Sequence, residues 1–327
     1  MKQRQSYSRR FPPAVVLAFC VLGPGAQGAG ADATIQPAGV IGEPGGGGAW
    51  PAIAVADEGM RENTLYYPAE FPDEPLPLLL WGTGGCVDNG LGYSGFLREI
   101  ASHGYFVISG GHPRYERTAT DQGTGLSEAQ MEALRALPDT SVEQLVRAID
   151  WAEQQTRNPD GKYYGRIDTS KIAAMGHSCG GLQAIALAMD DRVATSIAFN
   201  SGVISDPATI PGALEENANL YVEKKQLRGL NGPIAYINGG PDDMAYQNAE
   251  DDFSRLAHVP VFFGENGVGH GGTFWTDASG GEYADVAIKW LDWQLKGDAA
   301  AAAWFAGSDC VLCKKAGWKV RKKGIDE

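Results

Sequence analysis

Ile172-Ala173-Ala174-Met175-Gly176-His177-Ser178-Cys179-Gly180-Gly181-Leu182 is the stretch that decides the fold. Its first four residues form an apolar run of strand length, and residues 182–189 continue with helical character. Between them sits Gly176-His177-Ser178-Cys179-Gly180, a G-x-S-x-G pentapeptide placed where a strand turns sharply into a helix and exposes the serine oxygen. Glycines flank the serine because such a turn is strained and the chain before and after it runs too close for a Cβ. In a chain with 44 glycines the pentapeptide alone carries little weight, and its position between strand and helix is what makes it informative.

Outward from this point, strands and helices alternate. Residues 76–81 have the unbroken apolar character of a buried strand, a helix is expected around 96–102, and 105–109 form the next strand. Val142, Leu145, Val146 and Ile149 recur at helical spacing behind Ser141, an N-cap residue type, so 141–155 predicts the crossover helix that feeds the strand at 172–175. Beyond the serine come strands at 193–199, 233–238 and 259–263, a helix around 246–257, and an amphipathic helix at 282–295. The pattern predicts an α/β fold with a mostly parallel central sheet and helices on both faces.

Upstream, residues 52–55 and 64–67 are two short strands whose pairing is not legible. Residues 34–50, with Gly45 to Gly48 in a row, are expected to be a flexible lead-in to one domain at 51–327. Residues 112–139 and 201–232 are expected to be loop excursions over the site, the first with a short helical patch at 127–137.

The first 33 residues have the form of an export signal. Lys2, Arg4, Arg9 and Arg10 precede an apolar stretch at 14–22, and small residues follow, with cleavage expected near 28–33 around Ala29-Gly30-Ala31. The apolar stretch is too short to span a bilayer, and Phe19 directly before Cys20 argues against a lipoprotein site. The expectation is a secreted or periplasmic protein with no stable membrane anchor. A net charge of −13 offers no basic face for nucleic acid. Export also permits disulfides among Cys86, Cys179, Cys310 and Cys313. Cys310 and Cys313 are close enough to close on each other as a structural staple, and with no histidine nearby they do not suggest a zinc site.

A serine hydroxyl needs a base in contact with it and an acid to hold that base in the right tautomer. In strand-turn-helix serine sites the chain order is serine, acid, histidine. The strand at 233–238 runs into Gly239-Gly240-Pro241-Asp242-Asp243, and the strand at 259–263 runs into a glycine-rich loop containing His270. Both follow strand C-termini, the edge where open α/β sheets hold ligands. Of the five histidines, His103 and His258 end helices, His112 precedes the acid, and His177 lies inside the turn with its side chain expected to point away. His270 is the expected base. Asp242 and Asp243 cannot be separated by spacing, and Asp206 after the preceding strand is an outside choice.

A developing oxyanion needs two backbone N–H donors. Cys179, after the nucleophile, supplies the first, and Thr83 or Gly84 in the loop Gly82-Thr83-Gly84-Gly85-Cys86 supplies the second. Both segments carry a cysteine and converge on one oxygen, which suggests a Cys86–Cys179 disulfide, the alternative being two unpaired buried thiols.

The chain resembles the secreted α/β-hydrolase superfamily and, within it, an esterase-like group of bacterial and fungal proteins with the general layout of polyester-degrading cutinases. The likeness rests on Leu80-Trp81-Gly82-Thr83-Gly84-Gly85-Cys86, Ile100-Ala101-Ser102-His103-Gly104-Tyr105, Gly176-His177-Ser178-Cys179-Gly180-Gly181 and Gly239-Gly240-Pro241-Asp242-Asp243-Met244-Ala245-Tyr246, and covers about residues 60–318. It implies Asp243 as the acid. It departs at Trp81, where many relatives carry the histidine of a His-Gly pair. The resulting expectation is a secreted serine hydrolase acting on small-molecule or polymeric carboxylic esters, with Ser178, His270 and Asp243 as the relay and no metal or organic cofactor. A peptidase or amidase, or a silent binding protein on the same scaffold, are the alternatives.

Overall fold

A computed structural model describes residues 34–117, 132, 136–205 and 222–325. The expected export signal, Asp206, the patch at 127–137 for the most part, and the middle portions of both loop excursions lie outside the described residues. The strands are β1 (Gly39–Gly45), β2 (Ala52–Ala56), β3 (Asn63–Pro68), β4 (Leu76–Gly82), β5 (Phe106–Gly110), β6 (Ile167–His177), β7 (Val193–Phe199), β8 (Ile234–Asn238), β9 (Val261–Glu265) and β10 (Lys319–Lys323). The α-helices among the described residues are α1 (Ser94–Ser102), α2 (Val142–Arg157), α3 (Cys179–Leu187), α4 (Tyr246–Arg255), α5 (Gly281–Lys296), α6 (Ala299–Ala302) and α7 (Val311–Lys314).

The ten strands among the described residues form one sheet in the order β1-β2-β3-β5-β4-β6-β7-β8-β9-β10. The expected mostly parallel sheet is parallel only across its middle, from β5 through β4, β6, β7 and β8 to β9. β1, β2 and β3 form an antiparallel meander that joins β5 antiparallel, and β10 pairs antiparallel with β9. The difference has a plain cause: β1, β2 and β3 are joined by short connections that need no crossover helix, and strand direction is not written in residue type.

Period-two alternation sorts the two faces. Leu79 and Trp81 of β4 join the cluster under α1 and α5, whereas Leu78 and Leu80 join the cluster under α2. α3 and α4 pack on the same face as α2, over Ala198, Tyr236 and Phe263. α2 begins as expected, with Ser141 accepting from the Gln144 amide and the Gln144 side chain accepting from the Ser141 amide.

The expectation of a flexible lead-in at 34–50 is corrected by β1, which pairs with β2 from Gly39 to Gly45. Its exposed, glycine-rich sequence has no apolar period to announce a strand. The segment is anchored from outside, since Arg98 donates to the Ile41 carbonyl, Glu99 accepts from the Gly47 amide and Ser102 accepts from the Gly48 amide. β10 was also not legible, because its Lys-Val-Arg-Lys-Lys sequence suits an edge strand kept from pairing further by charge.

The chain leaves β4 through α1 to β5 on one side and returns through α2 to β6 on the other. β4 and β6 therefore run side by side, with Gly82 opposite Gly176, at the point where the winding reverses. In open α/β sheets this reversal opens a crevice at the strand C-termini.

Candidate active site

The turn after β6 is built on strain and close approach. Ser178 has φ 54° and ψ −119°, a conformation that costs a non-glycine residue on the order of 1–3 kcal/mol. A Cβ on Gly180 would come within 2.1 Å of the Gly82 backbone, and one on Gly176 within 2.1 Å of the Gly180 carbonyl. The glycines thus let β4 and the start of α3 touch. The turn is held by the Ser178 amide, which donates to the Phe199 carbonyl at 2.9 Å, and by Ser201, which donates to the Ser178 carbonyl at 2.7 Å.

Ser178, His270 and Asp243 come together across the ends of β6, β8 and β9. The Ser178 hydroxyl donates to His270 Nε2 at 2.9 Å, and His270 Nδ1 donates to Asp243 Oδ1 at 2.6 Å. Asp243 is buried, and its neighbour Asp242 is exposed, so the two aspartates that spacing could not separate are separated by packing. Burial by itself would raise the Asp243 carboxyl, but hydrogen bonds from His270, the Ala245 amide and Asn200 outweigh it and hold it below the usual carboxylate value.

Asn200 is a site residue that the sequence did not single out. It sits after β7 at φ 45°, and its side-chain amide donates to Asp243 Oδ2 at 2.8 Å and to the Gly269 carbonyl at 3.0 Å. It ties the acid loop to the base loop. The one available signal was a polar residue directly after the apolar end of a strand, Ile197-Ala198-Phe199. The same two loops are also zipped by the Gly269 amide donating to the Gly239 carbonyl at 2.8 Å, a contact in which a Cβ on Gly239 would strike Gly269 at 1.9 Å.

On the opposite side, Cys86 and Cys179 form a disulfide with their Cα atoms 5.3 Å apart, and the alternative of two unpaired thiols does not hold. Cys310 and Cys313 form the second disulfide, with Cys310 capping α7. The Cys179 amide is at the first position of α3, where a helix has no internal acceptor for it. Of the two amides expected as the other donor, that of Gly84 donates to the Tyr93 hydroxyl at 3.2 Å. The Thr83 nitrogen lies 2.6 Å from where a Cβ on Gly180 would be.

His177 does not point away as expected. Its ring is buried, accepts at Nδ1 from the Tyr93 hydroxyl at 2.7 Å, and donates from Nε2 to the His270 carbonyl at 2.7 Å. The carbonyl has no proton to give and the tyrosine proton is free to point at the ring, so these partners assign the neutral Nε2–H tautomer. Burial, with the neighbouring His270 adding to it, pushes the His177 pKa down to about 3. The other histidines lie elsewhere: His103 caps α1 and meets Glu99, and His112 meets Asp88. Trp81, the departure from the wider superfamily, is fully buried among Tyr93, Phe96, Phe199 and Phe274, beneath the loop rather than in it.

No family model matches the chain. A stretch of 141 residues is 32% identical to Cutinase est1 of Thermobifida alba, covering 40% of this chain and 36% of that protein. A stretch of 135 residues is 33% identical to Cutinase est2 of the same organism, covering 38% of this chain and 33% of that protein. Over part of its length the chain is thus similar to two cutinases. The match spans about a third of the length of these curated relatives.

Proposed function

We propose that the chain is an exported serine hydrolase of the α/β-hydrolase fold that cleaves carboxylic esters. The observation that carries this reading is the unbroken hydrogen-bonded line from Ser178 through His270 to Asp243 at the carboxyl edge of the sheet. The partial similarity to cutinases supports an ester as the substrate.

In this mechanism Ser178 Oγ attacks the acyl carbon as His270 Nε2 takes its proton, and Asp243 stabilises the imidazolium that results. The amides of Cys179 and Thr83 hold the oxyanion, whose collapse expels the alcohol as His270 returns the proton to it. A water then repeats the cycle on the acyl-enzyme and releases the acid. The two disulfides fit a protein that works outside the reducing cytoplasm.

A fluorophosphonate probe and p-nitrophenyl acetate test the reading together. Wild type is expected to label stoichiometrically and turn over, whereas Ser178→Ala loses labelling and falls by about 10⁴-fold or more in kcat. Failure of folded wild type to label, or equal labelling of the alanine variant, would reject it.

A further inference from the structure

The Asp243 carboxylate is met on both oxygens. Oδ1 accepts from His270 Nδ1 at 2.6 Å and from the Ala245 amide at 2.9 Å, and Oδ2 accepts from Asn200 Nδ2 at 2.8 Å and from the Gly239 amide at 3.3 Å. We propose that Asn200 is a positioning residue of the relay, acting through Asp243: its amide pins Oδ2 and so keeps Oδ1 turned to His270 while the imidazole gains and loses its proton. The proposal rests on the serine-hydrolase reading above and adds a fourth side chain to it.

The chemistry of the amide suits the task. Its two N–H groups go to Asp243 Oδ2 and to the Gly269 carbonyl at 3.0 Å, both pure acceptors, so the partners decide which end of the side chain is nitrogen. The Gly269 carbonyl anchors the amide and leaves the other N–H aimed at the acid. Without Asn200, Oδ2 keeps only the longer bond from Gly239 among the described residues. A lysine or arginine in its place would neutralise the carboxylate and weaken its hold on the imidazolium, whereas a neutral donor orients it and leaves its charge in place.

The backbone accounts for the residue type. Asn200 is fully buried at φ 45°, a left-handed conformation that asparagine tolerates, and its own amide donates to the Ile237 carbonyl at 2.8 Å. On either side of it, the Phe199 carbonyl accepts from the Ser178 amide and the Ser201 hydroxyl donates to the Ser178 carbonyl. Three consecutive residues thus hold the nucleophile, and the middle one reaches across to the loops of the acid and the base. A strained conformation persists where its surroundings over-determine it, and here they do so beside all three members of the relay.

A double-mutant cycle on p-nitrophenyl acetate tests this, with kcat and KM measured for wild type, Asn200→Gly, Asp243→Ala and the double variant. Glycine adopts φ 45° freely, so the side chain leaves without new backbone strain, and Asn200→Ala takes its place if the glycine variant does not fold. In the wild-type background kcat is expected to fall about 10- to 10²-fold, the loss of one hydrogen bond to a charged group, with KM within about threefold. In the Asp243→Ala background the same change is expected to cost less than about threefold, because the residue it acts on has gone. A purely structural role moves both backgrounds alike, and so does a role confined to the Gly269 carbonyl, which Asp243→Ala leaves in place. An equal loss in both backgrounds, a wild-type kcat in folded Asn200→Gly, or failure of both Asn200 variants to fold overturns the proposal and leaves the hydrolase standing. No turnover by folded wild type removes the hydrolase reading and the proposal with it.

Discussion

The two walls of the cleft are held by different means. On the side of β8 and β9, Asp243, His270 and Asn200 are joined by hydrogen bonds, and the loops touch through glycines. On the side of β4 and β6, the loop and the elbow are joined by the Cys86–Cys179 disulfide and backed by Trp81, Tyr93 and Phe274. In the proposed mechanism the contrast follows from what each wall has to do. A relay must gain and lose a proton, so its partners are polar groups that strengthen as charge appears. Backbone donors for an oxyanion only have to stay in place, and a cross-link with apolar packing does that without adding charge.

The largest effect is expected where the relay wall is cut. Asp243→Asn keeps the shape but removes the charge that orients the His270 tautomer, and kcat on p-nitrophenyl acetate should fall by about 10⁴-fold with little change in KM. If Asp242→Asn produced that loss and Asp243→Asn did not, the acid would have been assigned to the wrong neighbour.

Cutting the other wall sharpens the comparison. The two disulfides share their chemistry but not their reach: Cys86 and Cys179 are 93 positions apart, Cys310 and Cys313 only 3. By loop-closure entropy the long one constrains the unfolded chain by roughly 4–5 kcal/mol and the short one by about 2. In the proposed mechanism the long one alone also carries an oxyanion donor. Cys86→Ala with Cys179→Ala is therefore expected to lower Tm and to reduce kcat by about 10- to 10³-fold, because one amide loses its fixed position. Cys310→Ala with Cys313→Ala should lower Tm less and leave kcat within about twofold. Equal kcat in both double variants would make the first disulfide a staple and nothing more.

The same division explains what could be read in advance. The elbow, α2 with its Ser141 cap, and the strand exactly at Val193–Phe199 were legible because apolar period and capping chemistry are local signals. Spacing left Asp242 and Asp243 after one strand end, with Asp206 as an outside choice, and resemblance favoured Asp243; that Asp243 is buried and Asp242 exposed is set by the fold. Asn200 and the inward ring of His177 were missed for a related reason: a side chain's direction at the end of a strand depends on a twist that residue type does not record. β1 and the antiparallel ends of the sheet were missed because glycine and lysine edges have no pattern to show.

His177 lies between the two walls, its ring centroid 5.2 Å from that of His270, and among the residues at the walls the smallest effect on turnover is expected there. Its ring links the Tyr93 hydroxyl, and through it the Gly84 amide, to the His270 carbonyl. It holds both loops without exchanging a proton in the reaction. Its folded pKa of about 3 lies below the ordinary 6.5, so between those values the unfolded chain binds the extra proton. The contribution to stability is full above about pH 6.5 and is lost as pH falls toward 3. Between pH 7 and pH 5 that loss is about 2 kcal/mol, a few degrees in Tm. His177→Gln can still donate to the His270 carbonyl but has nothing to titrate. The Tm gap between wild type and this variant should therefore narrow by that amount on going from pH 7 to pH 5, while kcat at pH 8 changes by less than about tenfold. A gap that stays constant across the range would mean that the ring is not held neutral, and the link between the walls would then be made by other groups.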